Sequence, residues 1–246
     1  MTHHTYKSDR IIEALCEVHF VPGGVWDPTI FGAFYDRVKG EFPEKRAEER
    51  RQFEIRAEEA ALKQSFGPPE LRMRFIAADQ SAMVQLAPNL LVVNIVGAYP
   101  HWKKFKPLIV KCVQDYWAAA VPKGMSRIGL RYINRYEFPR NQFKVRELFR
   151  VYPQVPDEIN GSVAPFFMRV EHPYHDSERL LLTFGETDSG KKDLVAVLLD
   201  LDHVFLNLGE MVVQGLEEKL EIAHDRVLSA FEACITNPIR TVLEGE

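Results

Sequence analysis

The chain has 246 residues, of which 46% are hydrophobic and 27% are charged, and its formal net charge at pH 7 is −4. These are the proportions of an ordinary globular protein, and the acidic balance argues against a general nucleic-acid binder, which carries a basic excess. A run of about 18 apolar residues, as a membrane-spanning helix needs, is absent, and the polar segment Met1–Arg10 is unlike a signal peptide. Three widely separated cysteines without a CxxC pair indicate neither a disulfide framework nor a structural zinc site. We therefore expect a soluble cytoplasmic protein that needs no cofactor.

The first half of the chain opens with a strand, because apolar and polar residues alternate over Ile11–Phe20. Asp27 and Pro28 then predict the start of a helix, since Asp is a favoured N-cap and Pro a favoured first helical residue. Further along, the patterns predict an exposed edge strand at Gln52–Ala57, a break at Gly67-Pro68-Pro69, a strand over Leu71–Phe75, a hairpin of Ser81–Leu86 and Leu90–Val96, and a helix over Trp102–Ala120.

A similar order of elements starts again after Pro122-Lys123-Gly124. The patterns predict a strand over Arg127–Phe138, a short helix over Val145–Phe149, strands over Phe166–Glu171, Leu180–Phe184 and Leu194–Phe205, and a long helix over Met211–Cys234 that ends or kinks at Thr236-Asn237-Pro238.

The expected fold is α+β, with two similar halves (residues 1–122 and 123–246) that each run strand, helix, about three strands, helix. Each half then supplies one apolar sheet face and a helix to cover it, so two halves can form one continuous, mainly antiparallel sheet. The connection between them is too short to be a flexible linker, and we expect residues 1–246 to form a single compact unit.

Five phrases of the sequence carry a resemblance to a known family. They are Glu13-Ala14-Leu15-Cys16-Glu17-Val18-His19-Phe20, Tyr99-Pro100-His101-Trp102, Arg127-Ile128-Gly129-Leu130-Arg131-Tyr132-Ile133-Asn134-Arg135, Leu199-Asp200-Leu201-Asp202, and His224-Asp225 followed by Phe231-Glu232. In this order and spacing the chain resembles a family of sporadically distributed bacterial proteins. The resemblance implies a bacterial or archaeal cytoplasmic protein and no enzyme activity. Patchy occurrence is common among genes of mobile elements and defence systems, which implies a role in defence or regulation.

Charged side chains on the two half-opening strands form the first candidate site. Glu13 and Glu17 share the polar face of the first strand, and Arg127, Arg131 and Arg135 share that of the second. If the two strands lie near each other, Glu13 and Glu17 meet Arg131 and Arg135 across the sheet. One interpretation is a ladder of ion pairs that fixes register. The other is a polar groove that binds an anion, a nucleotide or an acidic peptide, because arginine forks suit phosphate and carboxylate.

Asp200 and Asp202 form the second candidate site, since they lie two residues apart on one face of a strand. With His203 or Glu171 they are candidate ligands for Mg²⁺ or Mn²⁺, as in nucleases that attack phosphate with metal ions. The alternative is that both acids end a Leu-rich strand and cap a turn or pair with arginines.

Other histidines and loops give weaker signals. His172, Tyr174, His175 and Asp176 are expected together in a solvated turn, while His101, Trp102 and His224 are assigned to packing or to the surface. Phosphate-binding glycine loops, nucleophile elbows and catalytic cysteine signatures are absent from the sequence.

The sequence favours a non-catalytic binding or interaction protein, with a protein partner or a homodimer formed through an exposed sheet edge, and with a small anionic ligand as a further candidate. The alternatives are a metal-dependent phosphodiesterase or nuclease, and a saddle-like nucleic-acid-binding module that the repeated element order suggests by analogy.

Overall fold

The computed structural model describes residues 6, 10–58, 61–156, 158 and 165–245, and within residues 50–70 it describes the backbone only. The described part contains nine strands and five α-helices. The strands are β1 (Ile11–Val21), β2 (Glu44–Glu58), β3 (Ala61–Ile76), β4 (Ala82–Ala87), β5 (Leu90–Val96), β6 (Gly124–Pro139), β7 (Phe167–His175), β8 (Glu178–Thr187) and β9 (Leu194–Phe205). The helices are α1 (Thr29–Val38), α2 (Trp102–Ala120), α3 (Val145–Leu148), α4 (Leu216–Cys234) and α5 (Asn237–Glu244). None of the described helices is long and apolar enough to span a membrane.

The strands form one antiparallel sheet in the order β2-β3-β4-β5-β1-β6-β9-β8-β7. The two half-opening strands, β1 and β6, are neighbours at its centre, with Cys16 opposite Leu130. Beside them lie the last strands of each half, β5 next to β1 and β9 next to β6. The expected α+β class and continuous antiparallel sheet are therefore confirmed.

The internal duplication stays a prediction, because the two halves differ in detail. Four strands follow α1 but only three follow α3, and α1 has 10 residues where α3 has 4. What the halves share is the strand order outward from the centre: opening strand, last strand, then the remaining strands.

One face of the sheet carries the main core and is covered by helices. The buried side chains of β1 (Ala14, Cys16, Val18 and Phe20) alternate with half-buried residues that are polar except for Leu15, as the sequence pattern predicts. α2 packs against β5, and α4 packs against β9 and β6. The apolar periodicity of α2 predicts an inward stripe of Phe105, Leu108, Ile109, Cys112, Val113 and Tyr116; all of these are buried except Leu108, which is half-buried. We call the opposite face, which carries Glu13, Glu17, Arg127, Arg131, Asp200 and Asp202, the open face.

Three sequence-based expectations are wrong. β3 runs through the break expected at Gly67-Pro68-Pro69. The prolines are tolerated because β4 pairs with β3 only over Met73–Ile76, so that no second described strand needs the N–H groups that the prolines lack. His172, Tyr174 and His175 lie on β7, and only Asp176 lies in the turn. The last long helix begins at Leu216, after a 3-10 turn at Val213–Gly215, and the chain forms α5 after Thr236.

Candidate functional site: an aromatic pocket and the open face

Five of the predicted site residues lie together at the centre of the open face. In the register of β1, β6 and β9, Glu17 lies opposite Gly129, and Arg131 lies opposite Asp202. Residues directly opposite each other share a face, so Glu17, Arg127, Arg131, Asp200 and Asp202 form one polar band across the sheet centre.

The pairs within this band differ from those expected. Arg131 donates from Nε and Nη2 to both oxygens of Asp200, at 2.7 and 2.6 Å. Arg127 donates to Glu17, which also contacts His19 Nε2 at 2.8 Å. The expected contacts of Glu13 and Glu17 with Arg131 and Arg135 are therefore wrong.

The outer members of the expected cluster have partners of their own. The Asn94 amide donates to Glu13 at 2.6 Å, and Arg135 donates to Glu137 on its own strand at 2.5 Å. The β1–β6 register is uniform from Glu13 to His19, and it places Glu13 opposite Ile133 instead of an arginine.

Two carboxylates of the band, Asp202 and Glu17, have pKa values shifted in opposite directions. Burial raises the pKa of Asp202 from its ordinary value of 3.8 to about 6, against the opposing attraction of Arg127 and Arg131. Burial also acts to raise the pKa of Glu17, but the hydrogen bond with His19 and the charge of Arg127 outweigh it and the pKa is lowered. The face thus holds its charges largely by mutual neutralisation.

The predicted metal ligands do not converge. Both oxygens of Asp200 are bound by Arg131. His203 lies on the helix-covered face, where its Nε2 contacts Glu178 Oε1 at 3.0 Å, and Glu171 contacts Arg179 at 3.4 Å. In the part of the chain that the structure describes, no group of three His, Cys, Asp or Glu side chains is placed to hold a metal ion.

A pocket of about 650 Å³ opens on the helix-covered side of the sheet. Its walls come from segments far apart in the sequence: residues near the N-terminus, the segment 99–104 that leads into α2, two residues of β6, and α4. Aromatic rings supply much of the wall, namely Tyr6, Tyr99, Trp102, Tyr132 and Phe231.

A chain of hydrogen bonds and ring contacts fixes the inner wall. The hydroxyls of Tyr99 and Tyr132 lie 2.8 Å apart, and the Tyr132 hydroxyl lies 3.2 Å from His224 Nδ1. Trp102 stacks on the His224 ring, with centroids 4.2 Å apart, and its Nε1 donates to Glu221 at 3.1 Å. Burial raises the pKa of Tyr132 well above its ordinary value, so this hydroxyl stays protonated.

The backbone before α2 turns sharply into this wall. His101 has a φ of 65°, and Gly97 a φ of 81°. A positive φ is uncommon for a residue with a side chain, and such conformations cluster at ligand-binding and catalytic positions. The turn presents Trp102 to the pocket at the start of α2.

The mouth of the pocket carries three cations that have no ion-pair partner among the described residues. Arg10, Lys103 and Lys104 line it and are exposed, and no described carboxylate lies within ion-pair distance of them. The lining carboxylate Glu232 is bound by the Tyr6 hydroxyl at 2.7 Å and by Arg240 at 3.0 Å. Unlike the open face, the mouth therefore has cations to offer a ligand.

Sequence reasoning missed this site, because it assigned Trp102 and His224 to packing or to the surface. The available signal was the set of phrases that carry the family resemblance. The phrase at residues 99–102, Tyr132 and Asn134 of the arginine-rich strand, and His224, Phe231 and Glu232 all line the pocket.

Comparisons of this chain with family models, with curated proteins and with solved structures gave no match in any of the three.

Proposed function

We propose that this chain is a non-catalytic binding protein whose pocket holds a small planar molecule that bears an acidic group. The observation that carries the proposal is the presence, in one cavity, of aromatic walls and of a basic mouth whose cations have no described carboxylate partner. The family resemblance supports a regulatory or partner role in a prokaryotic defence or mobile-element system, in which such a ligand acts as a signal.

The size and walls of the pocket define the body of the ligand. Its volume of about 650 Å³ lies in the range of roughly 300–1,000 Å³ typical of small-molecule sites. Rings on several sides, including Trp102 and Tyr132, favour a flat aromatic or heteroaromatic body, which gains from stacked and edge contacts.

The mouth defines the polar end of the ligand. Lys103 and Lys104 extend from the first turn of α2, where the N–H groups of Lys104 and Phe105 donate to His101 O. No described group accepts a hydrogen bond from the N–H groups of Trp102 and Lys103, which the helix leaves without an intrahelical partner. These N–H groups and the side-chain cations together favour a carboxylate, sulfonate or phosphate.

The two alternative functions draw no support from the described residues. Asp200 is occupied by Arg131, which removes the core of the predicted metal site. The charges of the open face alternate in sign and pair with one another, whereas a nucleic-acid interface presents a basic stripe.

A matched pair of ligands tests the proposal. We expect 1-naphthoate to bind in isothermal titration calorimetry, while its neutral analogue 1-naphthamide binds about tenfold or more weakly, because it lacks the charge that the mouth attracts. Rising salt should weaken the binding of 1-naphthoate more than that of 1-naphthamide.

Variants then place the binding in the pocket. Lys103→Glu/Lys104→Glu should lower affinity for 1-naphthoate about tenfold and leave the naphthamide nearly unchanged. Leu228→Trp, which fills the cavity, should abolish both. Lys192→Glu is the control, since Lys192 is exposed and does not line the pocket. Equal binding of acid and amide, or equal effects of the mouth and control variants, would contradict the proposal.

A further inference from the structure

The two edges of the sheet differ in how well they are protected from pairing with another strand. β2 forms one edge, and five of its first six residues are charged (Glu44, Lys45, Arg46, Glu48 and Glu49). Charged edges of this kind resist edge-to-edge association.

β7 forms the other edge and carries exposed apolar side chains. It pairs with β8 on one side, and no described strand pairs with it on the other. Phe167 is 75% exposed and Val170 is 46% exposed, the former on the open face and the latter on the helix-covered side. Exposed apolar residues on an unpaired edge mark a site of strand addition.

The sequence of β7 is self-complementary about Val170. In an antiparallel pair of two β7 strands centred on this residue, two residues lie opposite each other when their residue numbers add up to 340. Arg169 therefore faces Glu171 of the partner subunit, and Phe167 faces Pro173 of the partner subunit. Two-fold symmetry repeats each contact, which places two Arg–Glu pairs side by side on the open face.

We propose that two copies of this chain associate through β7, in antiparallel register centred on Val170, to form one sheet across both subunits. The occupant of the edge is a second copy because the charges match their own two-fold image and because opposite charges directly across a strand pair favour that register. This dimer is independent of the pocket, which lies near α2 and α4.

Local geometry holds Phe167 in position for this contact. A Cβ atom on Gly185, the cross-strand neighbour of Phe167, would lie 2.9 Å from Phe166 O and 3.2 Å from the Phe167 ring. The ring thus rests across Gly185, and its outer surface is left for Pro173 of the partner subunit. Pro173 and the register shift between it and His175 limit the new ladder to residues 167–173.

Sedimentation equilibrium over a wide range of protein concentration tests the interface. We expect the wild-type chain to be a dimer at high concentration. Arg169→Glu places two like-charge pairs in the dimer and should raise the dissociation constant about tenfold or more. Glu171→Arg should do the same, although it also removes the contact with Arg179.

The double variant separates the specific interface from general damage. Arg169→Glu/Glu171→Arg exchanges the two charges, and we expect it to restore dimerisation to near the wild-type value. Arg46→Glu, on the opposite edge, is the control and should not change association, and far-UV circular dichroism verifies that each variant is folded. A monomeric wild type, a single variant that associates like the wild type, or a folded double variant without recovery would overturn the proposal.

Discussion

The ion pair between Arg131 and Asp200 gives the sharpest test of what the open face does. Two charge-assisted hydrogen bonds of 2.7 and 2.6 Å join a half-exposed guanidinium to a carboxylate whose side chain is 11% exposed. Arg131→Met removes the charge and keeps the apolar stem of the side chain. The variant leaves Asp200 with its charge but without its partner, and a charge in that position is costly.

The expected loss follows from the exposure of the two groups. Breaking a fully buried pair from one side costs about 3–5 kcal/mol, whereas exposed pairs contribute about 0–1 kcal/mol. Because the Arg131 side chain is 38% exposed, solvent can reach part of the site, and we expect the free energy of unfolding to fall by about 2–3 kcal/mol. For a chain of this length each kcal/mol corresponds to about 2–4 °C in melting temperature.

Urea unfolding followed by circular dichroism measures this loss. Lys144→Met is the matched control, since its pair with Glu147 is highly exposed, and it should change stability by less than about 0.5 kcal/mol. Arg131→Met/Asp200→Leu should recover most of the loss, because it leaves no unpaired charge. A loss below about 0.5 kcal/mol in Arg131→Met would refute the structural role and return Arg131 to the candidates for ligand binding.

Three further predictions concern the rest of the chain. Burial raises the pKa of Asp202 to about 6, so the native state holds more protons than the unfolded state between about pH 4 and 6, and stability falls as pH rises through that range. Asp202→Asn should therefore stabilise the protein at pH 7.5 by up to about 3 kcal/mol and have no effect near pH 4. Urea unfolding at both pH values measures this difference, and equal effects at the two pH values would contradict the raised pKa of Asp202. Gly124→Ala should destabilise the protein by about 2–3 kcal/mol, because the new Cβ atom would lie 2.3 Å from Glu210 Cα. Gly24→Ala is the control in the same assay and should be near neutral, since a Cβ atom at Gly24 would have nothing within 4 Å. The three cysteines are buried and burial raises the pKa of each thiol, so a disulfide reagent should label them slowly in the native protein and rapidly in urea; fast native labelling would contradict their burial.

Alternation of apolar and polar residues was enough to predict most of the sheet. β9 and α2 have the bounds that their patterns predict, Leu194–Phe205 and Trp102–Ala120. α2 buries one apolar stripe, and the nearly continuous apolar sequence of β9 is buried on both faces, so local pattern and tertiary position agree in both elements. The break expected at Gly67–Pro69 was wrong because the cost of proline in a strand depends on its neighbours, which only the strand order shows.

Partners across the sheet were harder to predict than the strands themselves. The neighbours β1 and β6 were expected together, but apolar–polar alternation alone does not set their register, in which Leu15 lies opposite Arg131 and Glu17 opposite Gly129. A one-residue change in register exchanges the side chains that face each other. Glu17 therefore meets Arg127, and Arg131 turns to Asp200 on the next strand.

The pocket could not be derived from pattern, because its parts come from segments far apart in the sequence and its key residues look ordinary in isolation. Tyr99, Tyr132 and His224 belong to a loop, a strand and a helix. Each has a ready explanation as a packing residue, and only their hydrogen-bonded contact in three dimensions distinguishes them.

The open face and the pocket mouth show why charge alone is a poor guide to a binding site. Both carry arginine or lysine beside aromatic or apolar residues, but on the open face Arg127 and Arg131 are bound by carboxylates of the same chain. Any anion that binds there must first displace Glu17 or Asp200, and it leaves a carboxylate without its cation. At the mouth Lys103 and Lys104 have no such described partner. An anion that binds there displaces no carboxylate of the protein, so its binding is opposed by the desolvation and ordering of the groups that meet and not by the loss of an existing ion pair. For this reason, the stability loss in Arg131→Met and the ligand discrimination in Lys103→Glu/Lys104→Glu should occur in separate variants. A variant that showed both effects would mean that the two faces of the sheet are coupled.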